Sequence, residues 1–73
     1  MERVIPMELT ELEKRMVLNF ARCNMSITGC AKKMNYARNS VAYHLRQVKR
    51  KTGRDPKKFY ELAQLVLMIK RGE

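Results

Sequence analysis

Residues 35–51, NYARNSVAYHLRQVKRK, set amides, guanidinium groups and a phenol at helical spacing. At roughly 100° per residue, Asn39, Tyr43, Arg46, Gln47 and Arg50 gather on one side of a helix. Val41, Leu45 and Val48 gather on the other. The polar side is basic and carries no carboxylate. Asn, Gln and Arg can make two-pronged hydrogen bonds to base edges, and Arg and Lys meet phosphates. A helix anchored by its apolar stripe and presenting these groups suits a nucleic-acid groove. Polar residues on a helix face are ordinarily just solvated, so the residues upstream decide between the two readings.

Upstream, Ser26 is a good N-cap for a helix over 27–34. Ile27, Cys30, Ala31 and Met34 share one face, and the small Ala31 lets another helix cross closely. Lys32 and Lys33 point away. Asn35 ends this helix, because Asn tolerates the left-handed backbone that closes a helix tightly. Tyr36 is expected to plug the corner. The basic helix then runs over 38–52, with Gly53 as its C-cap. A short helix with Ala at its fifth position, a tight turn and a second, basic helix form the pattern of a helix-turn-helix. His44 departs from it, holding a position that is often apolar; Leu45 and Val48 carry the packing instead.

Charge points the same way. The chain has 73 residues, 16 Lys+Arg against 7 Asp+Glu, and a formal charge of +9. No Asp or Glu lies between Lys14 and Arg54. A merely solvated surface mixes both signs, so the run favours an anionic partner. The length implies one small domain over 1–73, near the limit of a self-sufficient core. No signal peptide and no bilayer-spanning apolar run is evident, so the chain is expected in the cytoplasm, on the nucleoid when bound. Cys23 and Cys30 read as reduced, partly buried filler. With His44 the single histidine, no metal set and no cofactor is expected.

The remaining elements complete an all-α bundle of about four helices. Pro6 suits a first helical turn, while Thr10-Glu11-Leu12-Glu13 suits a capping box. The first helix therefore starts near residue 6 or near 11, and is taken over about 7–22. Leu9, Leu12, Met16, Val17 and Phe20 form its core stripe. Asp55-Pro56 suits a cap and first turn for a last helix over 56–70. Phe59, Leu62, Ala63, Val66 and Ile69 line one of its faces, and Leu65 widens it. With Leu67 and Met68 off that stripe, the helix is broader than one small core needs. Leu65, Leu67 and Met68 are the candidate contacts of a homodimer.

From Ile27 through the last helix, the chain resembles the C-terminal helix-turn-helix domain of PucR-type (CdaR-like) bacterial transcriptional regulators. The shared positions are Ile27, Thr28, Ala31, Lys32, Lys33, Met34, Arg38, Asn39, Ser40, Val41, Tyr43, Leu45, Val48, Thr52, Gly53 and Asp55. The closest piece is Arg38-Asn39-Ser40-Val41 with Tyr43 and Leu45, where the family usually shows Arg-Asn-Thr-Leu, Tyr and Leu. Fis-type domains are similar over a shorter stretch. Ala37 departs from the family's usual His, and His44 from its usual Arg. In the family this domain closes a long chain with sensory domains, for which there is no room in 73 residues. The chain is expected to be either a fragment or a stand-alone regulator.

Helix-turn-helix geometry then assigns roles. Arg38, Asn39, Ser40 and Tyr43 lie nearest the base edges of double-stranded DNA, with Gln47 following along the groove. Ser26, Thr28, Lys32, Lys33, Arg46 and Arg50 are the expected phosphate contacts. An RNA-binding protein is one rival, but it would show exposed aromatics for stacking, and only Tyr43 and Tyr60 are candidates. A protein-interaction adaptor docking through the last helix is another. Catalysis is not expected. Glu11 and Glu13 diverge on a helix, Ser40 lacks a base with its orienting acid, and no glycine loop cradles a phosphate. No small-molecule ligand and no membrane partner is evident.

Overall fold

A computed structural model describes residues 9–72. Among them are four helices and no strand: α1 Glu11–Arg22, α2 Ile27–Met34, α3 Arg38–Thr52 and α4 Phe59–Gly72. The all-α class expected from the sequence holds. No helix of the described residues is long and apolar enough to cross a membrane.

Among the described residues the first helix starts at Glu11, one of the two starts that the sequence offers; the other, at Pro6, lies outside them. Thr10 is extended at φ −72° and ψ 164°. Its hydroxyl accepts from the Glu13 N–H at 3.0 Å, and the Glu13 carboxylate accepts from the Thr10 N–H at 3.0 Å. Two backbone donors are satisfied reciprocally, which ends the helix there. Residues 7 and 8 lie outside the described residues.

The last helix also starts later than expected, at Phe59 rather than Pro56. The Asp55 carboxylate accepts from the Lys57 N–H at 2.9 Å, and its carbonyl from the Lys58 N–H at 3.0 Å. Asp-Pro here builds a turn, since Asp bonds the backbone two residues on and proline's fixed φ suits a turn as well as a first helical turn. The helical ladder begins from the Lys58 carbonyl, which accepts from Leu62 N–H at 2.7 Å.

The core forms around α1. Met16, Val17 and Phe20 are buried, with Leu9 beside them. α2 adds Cys30 and Ala31, α3 adds Val41, Leu45 and Val48, and α4 adds Leu62, Leu65 and Ile69. Leu12, Ile27 and Met34 pack partly buried at its edge. The α4 stripe is therefore turned from the expected one. Its buried seam is Leu62, Leu65 and Ile69, while Phe59 is 66% exposed and Ala63 is exposed. α4 packs chiefly on α1. One partner buries a narrow seam, so the rest of a broad apolar helix stays at the surface. Leu65, at 1% exposure, is thus a core residue and no candidate dimer contact.

The corner between α2 and α3 is closed by backbone. Asn35 adopts φ 63° and ψ 44°. Its N–H reaches the Lys32 carbonyl, and the Tyr36 N–H reaches the Ala31 carbonyl at 2.9 Å. This paired closure satisfies two end carbonyls of the helix. The Tyr36 ring does not plug the corner as expected: it is 39% exposed. Ala31 already fills the crossing, and the hydrogen bonds hold the turn without it. Because a left-handed backbone disfavours a residue bearing Cβ by roughly 1–2 kcal/mol, Asn35→Ala is expected to lower the Tm measurably, whereas Asn35→Gly should keep it. Thermal melts followed by circular dichroism check this; equal losses in both variants would mean that the Asn35 side chain, not its backbone, matters.

Candidate nucleic-acid interface

The functional face begins with how α3 is held. Val41, Leu45 and Val48 are fully buried, which fixes the helix's rotation. The opposite side is then committed to solvent. Arg38, Asn39, Arg46 and Arg50 are exposed there, Tyr43 is 50% exposed, and Ser40 and Gln47 are half-buried. Arg50 Nη1 donates to Gln47 Oε1 at 2.8 Å, so Gln47 keeps its two amide N–H donors for another partner. The Tyr43 ring meets His44 edge-on, with centroids 5.3 Å apart. His44 is half-buried at the border of the core.

The two helices of the pair begin differently. Ser26 caps α2, its Oγ accepting from Gly29 N–H at 2.9 Å while its own hydroxyl proton remains available. α3 has no side-chain cap: Ala37 precedes it in an extended conformation. The first N–H groups of α3 are therefore not bonded by a capping side chain. Thr28, Lys32 and Lys33 are exposed on α2, which packs against α3.

Ion pairs sort the basic residues. Lys14 lies 3.6 Å from Glu11, Lys49 3.9 Å from Asp55, and Lys51 2.8 Å from Glu13. Among the described residues, Lys32, Lys33, Arg38, Arg46 and Arg50 pair with no carboxylate. The cations left unpaired include those on the outer sides of α2 and α3. Glu11 is exposed while Glu13 is buried and paired, so the two carboxylates do not converge on a common point.

Glu13 ties this face to the rest of the fold. Lys51, near the C-terminal end of α3, donates to both of its oxygens at 2.8 and 3.0 Å. Burial pushes the Glu13 carboxyl up; the Lys51 hydrogen bond, the Thr10 N–H and the positive charges nearby outweigh it, and the group sits below its ordinary value of 4.5. Burial pushes the Cys30 thiol up, and the nearby Cys23 adds to this, which fits an unreactive core group. Among the described residues, no three His, Cys, Asp or Glu side chains gather as a metal set.

The PucR C-terminal helix-turn-helix domain matches the chain over residues 14–70. The chain belongs to that family. As a PucR-type helix-turn-helix domain it is of the DNA-binding, transcription-regulator kind. The match takes in most of α1, the whole α2–α3 pair and most of α4. No match is found among curated proteins, and none among solved structures.

Two features of the PucR-type surface escaped sequence reasoning. Tyr36 and Phe59 are exposed aromatics in addition to Tyr43 and Tyr60; a stripe assigned to core or corner hides such residues. Lys57 stands beside Lys49 and the C-terminal half of α3, because the Asp55 turn folds back toward it.

A carboxyl held below its ordinary value in the fold stabilises it above the unfolded-state value, and this is lost as pH falls through the folded one. The domain is therefore expected to lose stability as pH drops below about 4.5, and Glu13→Gln should flatten that dependence. Gln can still accept from Thr10 N–H, so Glu13→Gln should cost less at neutral pH than Glu13→Ala, which also removes a cap worth about 1 kcal/mol. Urea unfolding between acid and neutral pH reads both; an unchanged acid limb in Glu13→Gln would remove Glu13 from the linkage.

Proposed function

We propose that this domain binds double-stranded DNA with sequence preference and acts as a transcriptional regulator, or as the DNA-binding part of one, in a bacterial cytoplasm. The single observation that carries this reading is the outer side of α3. It is acid-free and rich in Arg and amides, and its apolar side is locked into the core. In the proposed complex α3 enters the major groove with its uncapped N-terminal half leading. Arg38, Asn39, Ser40 and Tyr43 meet base edges, and Gln47 meets them further along. Arg favours guanine and Asn favours adenine, each good bidentate pair giving roughly 1–3 kcal/mol of discrimination. Ser26, Thr28, Lys32, Lys33, Arg46 and Arg50 hold the phosphates.

Two copies pair through α4 in this proposal. Phe59, Ala63, Val66 and Leu67 line a shallow, uncharged groove with Ala21 and Met25. Leu67 is 56% exposed, and Met68 is half-buried next to it. In a strongly basic chain, an uncharged apolar strip is the surface where like copies repel least. Since α4 packs chiefly on α1, pairing there leaves both α3 outer sides free for half-sites about 34–36 Å apart or a multiple of that.

Asn39→Ala is expected to relax sequence preference on selected duplexes. Lys33→Ala should weaken all sequences alike and reduce the salt slope by about one unit. Fluorescence anisotropy across a salt series separates the two, with an RNA hairpin as competitor. Equal weakening on every sequence by both variants would overturn the division of roles, and a hairpin that outcompetes duplex would move the interface to RNA. For the pairing, Leu67→Glu should shift sedimentation toward monomer and weaken binding to paired half-sites more than to a single one. Wild-type protein that sediments as a monomer on paired half-sites would remove the dimer.

A further inference from the structure

Beside the C-terminal half of α3 the surface is hollow. Arg46, Gln47, Lys49 and Arg50 form one wall, Asp55 and Lys57 the other, and the buried Leu45 lies beneath. Four cations and one carboxylate line it. The carboxylate is already engaged. Its Oδ1 accepts from the Lys57 N–H at 2.9 Å, and its Oδ2 lies 3.9 Å from Lys49 Nζ. Asp55 therefore shapes the turn that brings Lys57 to this wall, and leaves the hollow with an excess of positive charge. Arg50 is restrained by its bond to Gln47, with most of the five guanidinium donors unspent.

A concave site with two guanidinium groups, two ammonium groups and an occupied carboxylate matches a phosphodiester. Arg grips such oxygens through its fork, and Lys supplies a point charge. We propose that this hollow seats one sugar-phosphate strand of duplex DNA, with Lys57 of the α3–α4 turn as a phosphate contact from outside the helix-turn-helix. The inference rests on α3 being the groove helix. If its N-terminal half leads into the groove, its C-terminal half stands by the groove wall, where a strand runs. The Asp55 turn then closes on that strand from the far side. Lys58, next in the chain, is exposed but does not line the hollow, so contact is specific to one of two adjacent lysines.

The test compares wild type, Lys57→Ala and Lys58→Ala by anisotropy on one duplex over a salt series, with melts to verify that all three are folded. Each phosphate contact contributes about 0.9 to the slope of log affinity against log salt. Lys57→Ala should lose about that much on any sequence, and Lys58→Ala distinctly less. Duplexes with single methylphosphonate linkages then locate the contact. At one position the neutral linkage should weaken wild type and leave Lys57→Ala unaffected. Equal slope losses in both lysine variants would reduce the hollow to diffuse charge and overturn the proposal, as would the absence of any such linkage position. In either case wild-type duplex binding still supports the reading of α3. If wild type binds no duplex, both fall.

Discussion

Every other helix of this domain reaches the core by packing on α1. That constraint follows from size: a short chain can build only one core, and one helix must serve as its floor. Met16, Val17 and Phe20 are buried between three partners at once. Each such side chain contributes roughly 1.5–3 kcal/mol by leaving water, a large share of the net stability available to so small a domain. The basic helix α3 inherits its fixed placement from this floor. Val41, Leu45 and Val48 fix its rotation, and Lys51 on Glu13 pins its far end to the start of α1. One carboxylate thus caps α1 and holds α3, coupling the presentation of the basic face to the integrity of the first helix.

The turns follow the same economy of residues. Asn24 and Met25 close α1 with positive φ, Asn35 closes α2 and Gly53 closes α3. Met25 is the unusual member, since its Cβ disfavours that conformation. Its side chain packs at the edge of the core and lines the groove beside α4, so burial offsets backbone strain. Thr52 finishes α3: its hydroxyl donates to the Val48 carbonyl at 2.7 Å and accepts from the Arg54 N–H at 3.1 Å. The chain is thereby led into the Asp55 turn in a fixed direction, which sets where Lys57 stands.

Electrostatics divides the molecule by function. Carboxylates flank the basic stretch in sequence, and in space they engage lysines at its margins: Glu11 with Lys14, Glu13 with Lys51, Asp55 with Lys49. The outer two, at 3.6 and 3.9 Å with one partner of each well exposed, contribute little to stability; the buried Glu13 pair is the one that holds α3. The effect of all three is to leave the outer sides of α2 and α3 as cations and amides, the arrangement that a phosphate-lined groove attracts from a distance.

Elements specified by local chemistry are readable from the order of residues. The stripe Val41, Leu45 and Val48, the Ser26 cap and the Asn35 and Gly53 closures rest on neighbours three to five residues apart, and they are found as expected, as is the family that the longer pattern resembles. The solvent-facing side of α3 was legible for the same reason, because an apolar stripe names its own opposite. Tertiary structure alone decided where local signals were degenerate. Pro6 and the Thr10 box both offer a helix start, and Glu13 secures the one at Glu11 by serving the cap and Lys51 together. Asp55-Pro56 serves a turn as well as a helix, and the turn prevails where Asp55 also meets Glu61 and Lys49. An apolar helix such as α4 does not reveal which stripe it buries; α1 selects Leu62, Leu65 and Ile69, and leaves Phe59 and Leu67 outside. Which face is buried depends on the partner available, and that partner lies about forty residues away along the chain, beyond the reach of any helical period.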